Sequence, residues 1–145
     1  TGLETTRTPD EWAAMGIRAR GADFAAQGLP TSIILPQGRN GPAFLSYPNF
    51  NVYFEWNQSF VYVLTAAYFA TRLEGAQVYD AGNPTAPLSD SEMKALQQRL
   101  TDLGYDVGDV DGILGAGTRN AVQKVQQELG LPADAWPTRD LLQRL

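Results

Sequence analysis

The sequence contains no histidine and no cysteine, and these absences remove much of the chemistry that a small enzyme uses. Without histidine there is no Ser-His-Asp or Cys-His catalysis, and the commonest zinc motifs are excluded. Without cysteine there is no thiol nucleophile, no disulfide and no thiolate metal site. Carboxylates, tyrosines, lysines and hydroxyls remain as candidate catalytic groups. The lack of cysteine identifies no compartment but is compatible with an envelope protein.

Basic clusters and long apolar runs are also missing. The net charge is −5 and the pI about 4.6, with only isolated arginines, so a nucleic-acid partner is not expected. The longest uncharged apolar stretch, residues 60–71, is too short to cross a bilayer. No signal-peptide pattern opens the sequence, which indicates a mature protein or an excised piece of one. A hydrophobic content of 43% suffices for a packed core.

Capping and turn residues predict short elements in the first half. Thr8 with Pro9 and Glu11 is typical of a helix start with a capping box. Apolar patterns and turn residues then predict the following segments: a short helix over 20–27, a brief strand over 32–35, strands or extended segments over 43–45 and 52–54, and a long helix over 58–73. That helix is apolar on most sides, which predicts burial.

The last third of the chain reads as helix, glycine-and-aspartate loop, helix, turn and short helix. Ser89 and Glu92 form a second predicted capping box, and Met93, Leu96, Leu100 and Leu103 give the first helix an apolar stripe. The loop 104–118 carries five glycines in fifteen residues and delivers Thr118 as the predicted cap of the next helix. The apolar residues of that helix are predicted to face the core: Ala121, Val122, Val125 and Leu129. A final helix carries Leu141, Leu142 and Leu145.

This region resembles a peptidoglycan-binding module of the small three-helix kind. The resemblance is carried by these segments: 96–100 with Leu103-Gly104-Tyr105, 110–115 with Thr118 and Ala121-Val122, Val125-Gln126, and 129–132. It implies binding to peptidoglycan through a shallow groove near the loop, where helix N–H groups can receive a stem-peptide carboxylate. Asp111, Thr118 and Arg119 are the candidate binding residues. A role as a simple spacer stays open.

The first half resembles the closing part of a catalytic domain, that of lytic murein transglycosylases of the membrane-bound B type (glycoside hydrolase family 103). The resemblance covers residues 23–73 and is carried by the run 37–45, by Pro48-Asn49-Phe50, by residues 56–59 and by Tyr62. It implies a mainly α-helical, lysozyme-like fold. The expected domains are the end portion of the catalytic domain over 1–75, a linker over 76–87 containing Gly82-Asn83-Pro84, and the peptidoglycan-binding domain over 88–145.

The family cleaves the MurNAc–GlcNAc bond without water and leaves 1,6-anhydro-MurNAc ends, using one glutamate and no metal or other cofactor. In this family the glutamate lies upstream of the segment matched here, in a motif that is followed by a phenylalanine and a glycine. No glutamate of this sequence lies in such a motif, so the catalytic acid is expected upstream and this chain alone should be inactive. By position, Asn57 would bind the sugar or its N-acetyl group, Tyr62 would orient the reacting ring, and Trp56, where the family usually has tyrosine, would supply a stacking wall. Without the resemblance, Asn57 reads equally well as a helix cap, and Trp56 and Tyr62 as core aromatics.

Two other readings concern acidic residues. Glu55 lies near the aromatic cluster and could be read as a lone general acid. Its default interpretation is a solvated glutamate at a strand end. Asp109 to Gly112 mimics part of a calcium loop, yet positions one and twelve would be Val107 and Thr118, so no metal site is expected. Asp111 is instead predicted to form an Asx turn with Gly112.

The leading interpretation is the C-terminal part of a periplasmic lyase acting on peptidoglycan. Its expected partners are glycan strands, stem peptides and an N-terminal catalytic fragment of the same protein. A lipid anchor to the outer membrane would lie outside this chain. Two alternatives stay open: a non-enzymatic peptidoglycan-binding protein with residues 1–87 as a small interaction domain, and a scaffold that positions other wall enzymes.

Overall fold

The protein consists of two compact units in a computed structural model that describes residues 2–20, 24, 28–57 and 59–145. The first unit comprises the chain up to Ile34 and Ala43–Ala76, and the second comprises Leu35–Pro42 and Gln77–Leu145. The elements are, in chain order, β1 (Thr6–Arg7), α1 (Pro9–Ala14), β2 (Thr31–Ile34), β3 (Phe44–Ser46), α2 (Phe50–Trp56), α3 (Phe60–Leu73), α4 (Asp90–Asp102), α5 (Ala116–Glu128) and α6 (Arg139–Arg144). The mainly helical class predicted from the sequence is confirmed, with one small sheet added.

A three-stranded antiparallel sheet organises the first unit. β2 lies between β1 and β3, and its central Ser32 pairs with Thr6 on one side and Ser46 on the other. Every residue of β2 is buried. Ile34 packs with Phe50 and Val63 to form the core, and aromatic rings from α2 and α3 surround it. The strands predicted near 32–35 and 43–45 are confirmed; the helix predicted over 20–27 lies mostly outside the described residues.

Residues 52–54 belong to helix α2, so the extended structure predicted for them is wrong. The turn at Tyr47 starts the helix, because the Phe50 N–H donates to the Tyr47 carbonyl at 2.9 Å. Phe50 and Phe54, four residues apart, then bring their rings to 5.5 Å on one helix face. Aromatic and β-branched residues favour strands only when sheet neighbours are present, and here packing between rings decides.

Helix α3 begins at Phe60, later than predicted, and its cap is Ser59 instead of Asn57. The Ser59 hydroxyl accepts from the Tyr62 N–H at 3.4 Å. Asn57 is the C-cap of α2. Its backbone N–H donates to the Tyr53 carbonyl, and its side-chain oxygen accepts from the Ser59 N–H at 2.8 Å. The carboxamide of Asn57 therefore shapes the turn between two helices.

The prediction that this helix is buried is wrong for most of its surface. Val63 is its only fully buried residue, whereas Val61, Phe69 and Leu73 are 61–73% exposed. One face of α3 packs on the sheet and α2, and the first unit, as described, contains no second layer that would cover the opposite face. Apolar composition states which residues favour burial, but only a packing partner can bury them.

The second unit packs three helices around one apolar core. Its buried residues are Leu88, Met93, Leu96, Leu100, Val107, Ala121, Val122, Val125 and Leu141. The stripes predicted on α4 and α5 are confirmed except at their ends: Leu103 and Leu129 are the C-caps and are 58% and 43% exposed. Both predicted capping boxes, at Thr8 with Glu11 and at Ser89 with Glu92, are present.

Thr118 does not cap α5, contrary to the prediction. The helix begins two residues earlier, with Gly115 as its N-cap, so Thr118 lies in the first turn and is 1% exposed. Gly117 allows this early start, because a Cβ at this position would lie 3.0 Å from the Val107 carbonyl.

Residues 35–42 leave the first unit between β2 and β3 and pack in the second. The Asn83 N–H donates to the Asn40 carbonyl at 2.7 Å, and the Trp136 indole N–H donates to the Thr85 carbonyl at 3.0 Å. Residues 76–87 form no helix or strand. The domain limits drawn from the sequence stay a prediction.

Candidate functional site

Trp56 and Tyr62 lie side by side on the surface of the first unit. Their ring centroids are 5.5 Å apart with an interplanar angle of 51°, and the residues are 68% and 51% exposed. Trp56 is the last residue of α2 and Tyr62 lies in the first turn of α3, so the rings meet where the end of one helix lies near the start of the next. The reading of these two residues as core aromatics is wrong.

Asn57 lies in the same turn as this aromatic pair. Its side-chain oxygen is used by the Ser59 N–H, and its NH₂ group makes no hydrogen bond to any residue that the structure describes. Two exposed aromatic faces beside an amide donor form a surface on which a sugar ring can stack and be hydrogen-bonded. The roles predicted for these three residues stay predictions.

No buried glutamate lies at this surface. All six glutamates of the sequence lie in the described part of the chain, and none of them is buried. Glu55 is exposed and lies within α2, one residue before Trp56, instead of at a strand end. An acid for glycosidic cleavage must stay protonated near neutral pH, which generally requires an environment shielded from water. The aromatic surface can therefore hold a sugar, but none of the six glutamates is a shielded proton donor.

In the second unit, two predicted binding residues are held by a buried glutamine. The Gln97 amide nitrogen has four oxygen acceptors within 3.2 Å, including Asp111 Oδ1 and Thr118 Oγ1. Its two hydrogens are shared among them. The Thr118 hydroxyl also donates to the Val107 carbonyl at 3.3 Å. Thr118 is thus enclosed in the module instead of lining an open groove.

Asp111 forms the predicted Asx turn. Its carboxylate accepts from the Ile113 N–H at 2.8 Å and from Gln97 at 3.1 Å, and these two bonds lower the pKa of Asp111 below its ordinary value. The same glutamine accepts from the Gly112 N–H through its oxygen. Asp111 is exposed, but its carboxylate helps to fix the glycine-rich loop.

Arg119, the third predicted binding residue, anchors the segment 35–42. It donates to the Pro36 carbonyl at 2.8 Å, and its guanidinium lies 5.9 Å from the centre of the Trp136 ring. Burial lowers the pKa of Arg119 to about 10, so it stays charged at neutral pH. Asp111, Thr118 and Arg119 each have a structural role in the second unit, and a binding role for them stays a prediction.

Sequence reasoning missed two buried glutamines that organise the loops. Gln97 is 1% exposed and Gln126 is 5% exposed. Gln126 accepts from the Ala135 N–H and donates to Asp134 and to the Trp136 carbonyl. The signal was present, because both glutamines occur on the apolar faces of their helices, next to Leu96 and Val125. A polar residue on such a face must find partners.

Within the described residues, no helix has the length and apolarity that spanning a membrane requires. The same part of the chain contains no group of three or more acidic side chains placed to hold a metal ion.

Two family models match the two halves of the chain. Residues 1–71 match the family described as a transglycosylase SLT domain, and residues 89–145 match a peptidoglycan binding domain. The first part of the chain is therefore similar to a transglycosylase SLT domain, and the last part is similar to a peptidoglycan binding domain.

Solved structures match nearly the whole length of the chain. The chain is similar to SltB3 from Pseudomonas aeruginosa, whose structures were solved in complex with NAG-anhNAM-pentapeptide and with NAG-NAM-pentapeptide; each is 38% identical, with a TM-score of 0.75 over 98% of this chain. A further relative, the N-acetylmuramoyl-L-alanine amidase CwlM of Mycobacterium tuberculosis, is 49% identical over 34% of this chain. The chain spans 39% of the solved chains and 12% of the amidase.

Proposed function

We propose that this chain is the C-terminal portion of a lytic murein transglycosylase of the membrane-bound B type, glycoside hydrolase family 103. The observation that carries the proposal is the likeness to SltB3, which extends over 98% of this chain at 38% identity and includes both halves in order. The matched transglycosylase and peptidoglycan-binding families support it independently. The reaction is non-hydrolytic cleavage between MurNAc and GlcNAc, leaving a 1,6-anhydro-MurNAc end.

The proposed chemistry assigns substrate holding to this chain and proton transfer to a glutamate outside it. Trp56 stacks on a sugar ring, Tyr62 orients the reacting ring, and Asn57 donates through its NH₂ group to the sugar or its acetamido oxygen. A protonated carboxyl must reach the leaving oxygen in an oxocarbenium-like transition state. Because all six glutamates here are at least partly exposed, that acid is assigned to the preceding part of the enzyme. No metal or other cofactor takes part.

The preceding part of the enzyme is also the proposed partner of α3. Val61, Phe69 and Leu73 lie on one side of the helix, eight and four residues apart, and are each more than 60% exposed. Such an uncovered apolar stripe is typical of an interface. The N-terminal catalytic fragment of the same protein would cover it.

The second unit is proposed to bind the cell wall, through glycan strands or stem peptides. A substrate of this kind places the protein in the periplasm, where a lipid anchor outside this chain could attach it to the outer membrane. Wall binding would keep the catalytic part close to an insoluble substrate and raise its effective concentration there.

The test is to incubate the chain with purified sacculi, sediment them, and analyse both fractions by mass spectrometry. We expect the chain in the pellet and no 1,6-anhydro products. A longer form of the protein, extended upstream, should release those products, and Asn57→Ala in that form should reduce their release strongly. Anhydro products from this chain alone would contradict the assignment of the acid, and Glu55→Gln would then be the first variant to make.

A second candidate function is a non-enzymatic peptidoglycan-binding protein. The absence of a buried glutamate among the six present favours it. An upstream extension that binds sacculi but releases no anhydro products would support this alternative over the enzyme.

A further inference from the structure

A shallow pocket of about 140 Å³ lies within the second unit. Its lining comes from five parts of the chain: residues 37–40, Thr85, Gln126 of α5, the loop 131–136, and the start of α6 with its cap Thr138. None of the binding residues predicted from the sequence lines it. The pocket exists only because the segment 35–42 packs against the loop that follows α5.

The walls of this pocket are held by hydrogen bonds to the Asp134 carboxylate. Asp134 accepts from the Arg39 backbone N–H at 2.9 Å through one oxygen, and from Gln126 and the Trp136 N–H through the other. Gly38 packs so closely that a Cβ there would lie 2.7 Å from the Trp136 Cβ. Trp136 itself is 9% exposed. The pocket is therefore formed by ordered backbone and a buried indole.

Two carboxylates and one guanidinium lie in the lining of the pocket. Asp134 keeps its negative charge but accepts from the three N–H groups just named, and Asp140 pairs with Arg144 at 2.8 Å. Arg39 is exposed, and its guanidinium makes no hydrogen bond or ion pair with the residues that the structure describes. The remaining uncommitted charge is thus a guanidinium, which binds carboxylates with two parallel hydrogen bonds.

We propose that this pocket binds a carboxylate of a peptidoglycan stem peptide, with Arg39 as its ion partner. The inference rests on the proposed wall binding and names its ligand group and site. Ligand sites for whole drug-sized molecules enclose about 300–1,000 Å³, so this pocket suits one end group or side chain of a peptide instead of a disaccharide. Leu131, Pro132 and Trp136 offer apolar contact to the carbon atoms next to that carboxylate.

The test is an NMR titration of the full chain with NAG-NAM-pentapeptide. Two matched probes accompany it: the same compound with its peptide carboxylates amidated, and the disaccharide without peptide whose lactyl carboxyl is also amidated. We expect the acidic probe to shift the Arg39 side-chain, Gly38 amide and Trp136 indole resonances. Both other probes should bind at least about tenfold more weakly, which corresponds to the loss of one charge-assisted contact.

The variant Arg39→Gln should weaken binding of the acidic probe by about tenfold or more. It keeps the backbone N–H that donates to Asp134, so the pocket should remain folded. Lys124→Gln, which removes an exposed positive charge from α5 and does not line the pocket, is the matched control and should bind like the unmodified chain.

Equal binding by Arg39→Gln and the unmodified chain, or equal binding of the acidic and amidated probes, would overturn the proposal. Sedimentation with sacculi on the same samples separates this failure from a larger one. Sedimentation without a response at the pocket overturns the pocket assignment alone. Loss of both sedimentation and titration overturns the proposed wall binding as well.

Discussion

At the scale of single residues, Gln97 determines the shape of the glycine-rich loop. It is 1% exposed and joins α4 to Gly112, Asp111 and Thr118 through hydrogen bonds of 2.8–3.2 Å. A buried amide with so many partners fixes one conformation, because each partner that is left unsatisfied costs free energy. The loop depends on these hydrogen bonds to keep one conformation, since its glycines have no side chains that could pack against the core.

The variant Gln97→Leu should destabilise the second unit by about 3 kcal/mol. Leucine keeps much of the volume but leaves the Gly112 N–H and several carbonyl oxygens without partners. Urea unfolding followed through the amide resonances of α4 and α5 measures the effect. Gln98→Leu, whose side chain is exposed on the same helix, is the control and should change the free energy of unfolding by less than about 0.5 kcal/mol. Equal effects of both variants would contradict the role of Gln97.

Glu92 should make the second unit sensitive to acid. Its hydrogen bond with Arg139 at 2.6 Å, and then those from Ser89, lower the pKa of the carboxyl from 4.5 to about 2. A pKa that is lower in the folded state gives stability that is complete above pH 4.5 and is lost as the pH falls towards 2. Glu92→Gln should therefore reduce the loss of stability between these pH values, as measured by urea unfolding at several pH values.

The control for this prediction is Asp90→Asn, which changes an exposed carboxyl in the same helix turn. Asp90 forms no ion pair with the described residues and should leave the acid dependence nearly as it is. An unchanged pH profile in Glu92→Gln would show that the contact with Arg139 does not persist in solution.

At the scale of elements, the segment 35–42 belongs to the second unit, although it lies in the first half of the sequence. It is held by the Arg119 side chain, by Asp134 and by the close approach of Gly38 to Trp136. The last contact requires a glycine for two reasons. A Cβ at this position would lie 2.7 Å from the Trp136 Cβ, and the backbone of Gly38 has a φ of +73°. The pocket beside Arg39 depends on the same packing.

The variant Gly38→Ala should destabilise the second unit by about 2 kcal/mol and displace Trp136. Gly108→Ala is a closely matched control, since Gly108 has a φ of +74° but has no other atoms within 4 Å of an added Cβ. The control therefore measures backbone strain alone. Thermal unfolding combined with Trp136 fluorescence or its indole NMR signal separates the two effects. Equal losses in both variants would contradict close packing against Trp136.

At the scale of the whole molecule, the two units differ in how completely their apolar surface is covered. The second unit encloses its core within three helices, whereas α3 of the first unit leaves one side exposed. This imbalance fits a chain whose first half is part of a larger domain, in line with the 39% of the solved relatives that it spans.

The same substitution at two phenylalanines tests this description. Phe69 is 61% exposed and Phe50 is 6% exposed. Phe69→Ala should change the stability of the first unit by less than about 0.5 kcal/mol and should reduce binding of a dye specific for apolar surface. Phe50→Ala should cost about 3 kcal/mol because it opens a cavity. A large loss of stability in Phe69→Ala would show that this side of α3 is packed in solution.

Local interactions were predictable from the sequence because they join residues two to four positions apart. The capping boxes at Thr8 and Ser89, the turn at Asp111 and the apolar stripes of α4 and α5 are of this kind, and the structure contains them except for the last residue of each stripe. The resemblance carried by short motifs also predicted the mainly helical class and the order of the two regions. Within the candidate site, the sequence identified Trp56, Asn57 and Tyr62 as neighbours along the chain.

The tertiary structure alone decided which surfaces meet. It packed residues 35–42 against a loop about a hundred positions away, partly buried Arg119 and left Arg39 exposed beside a pocket. It also wound residues 52–54 into a helix and left most of α3 uncovered. Periodicity and capping describe how a segment would fold beside a suitable partner. The partner itself, and therefore burial and the availability of each charge, depends on contacts between distant parts of the chain.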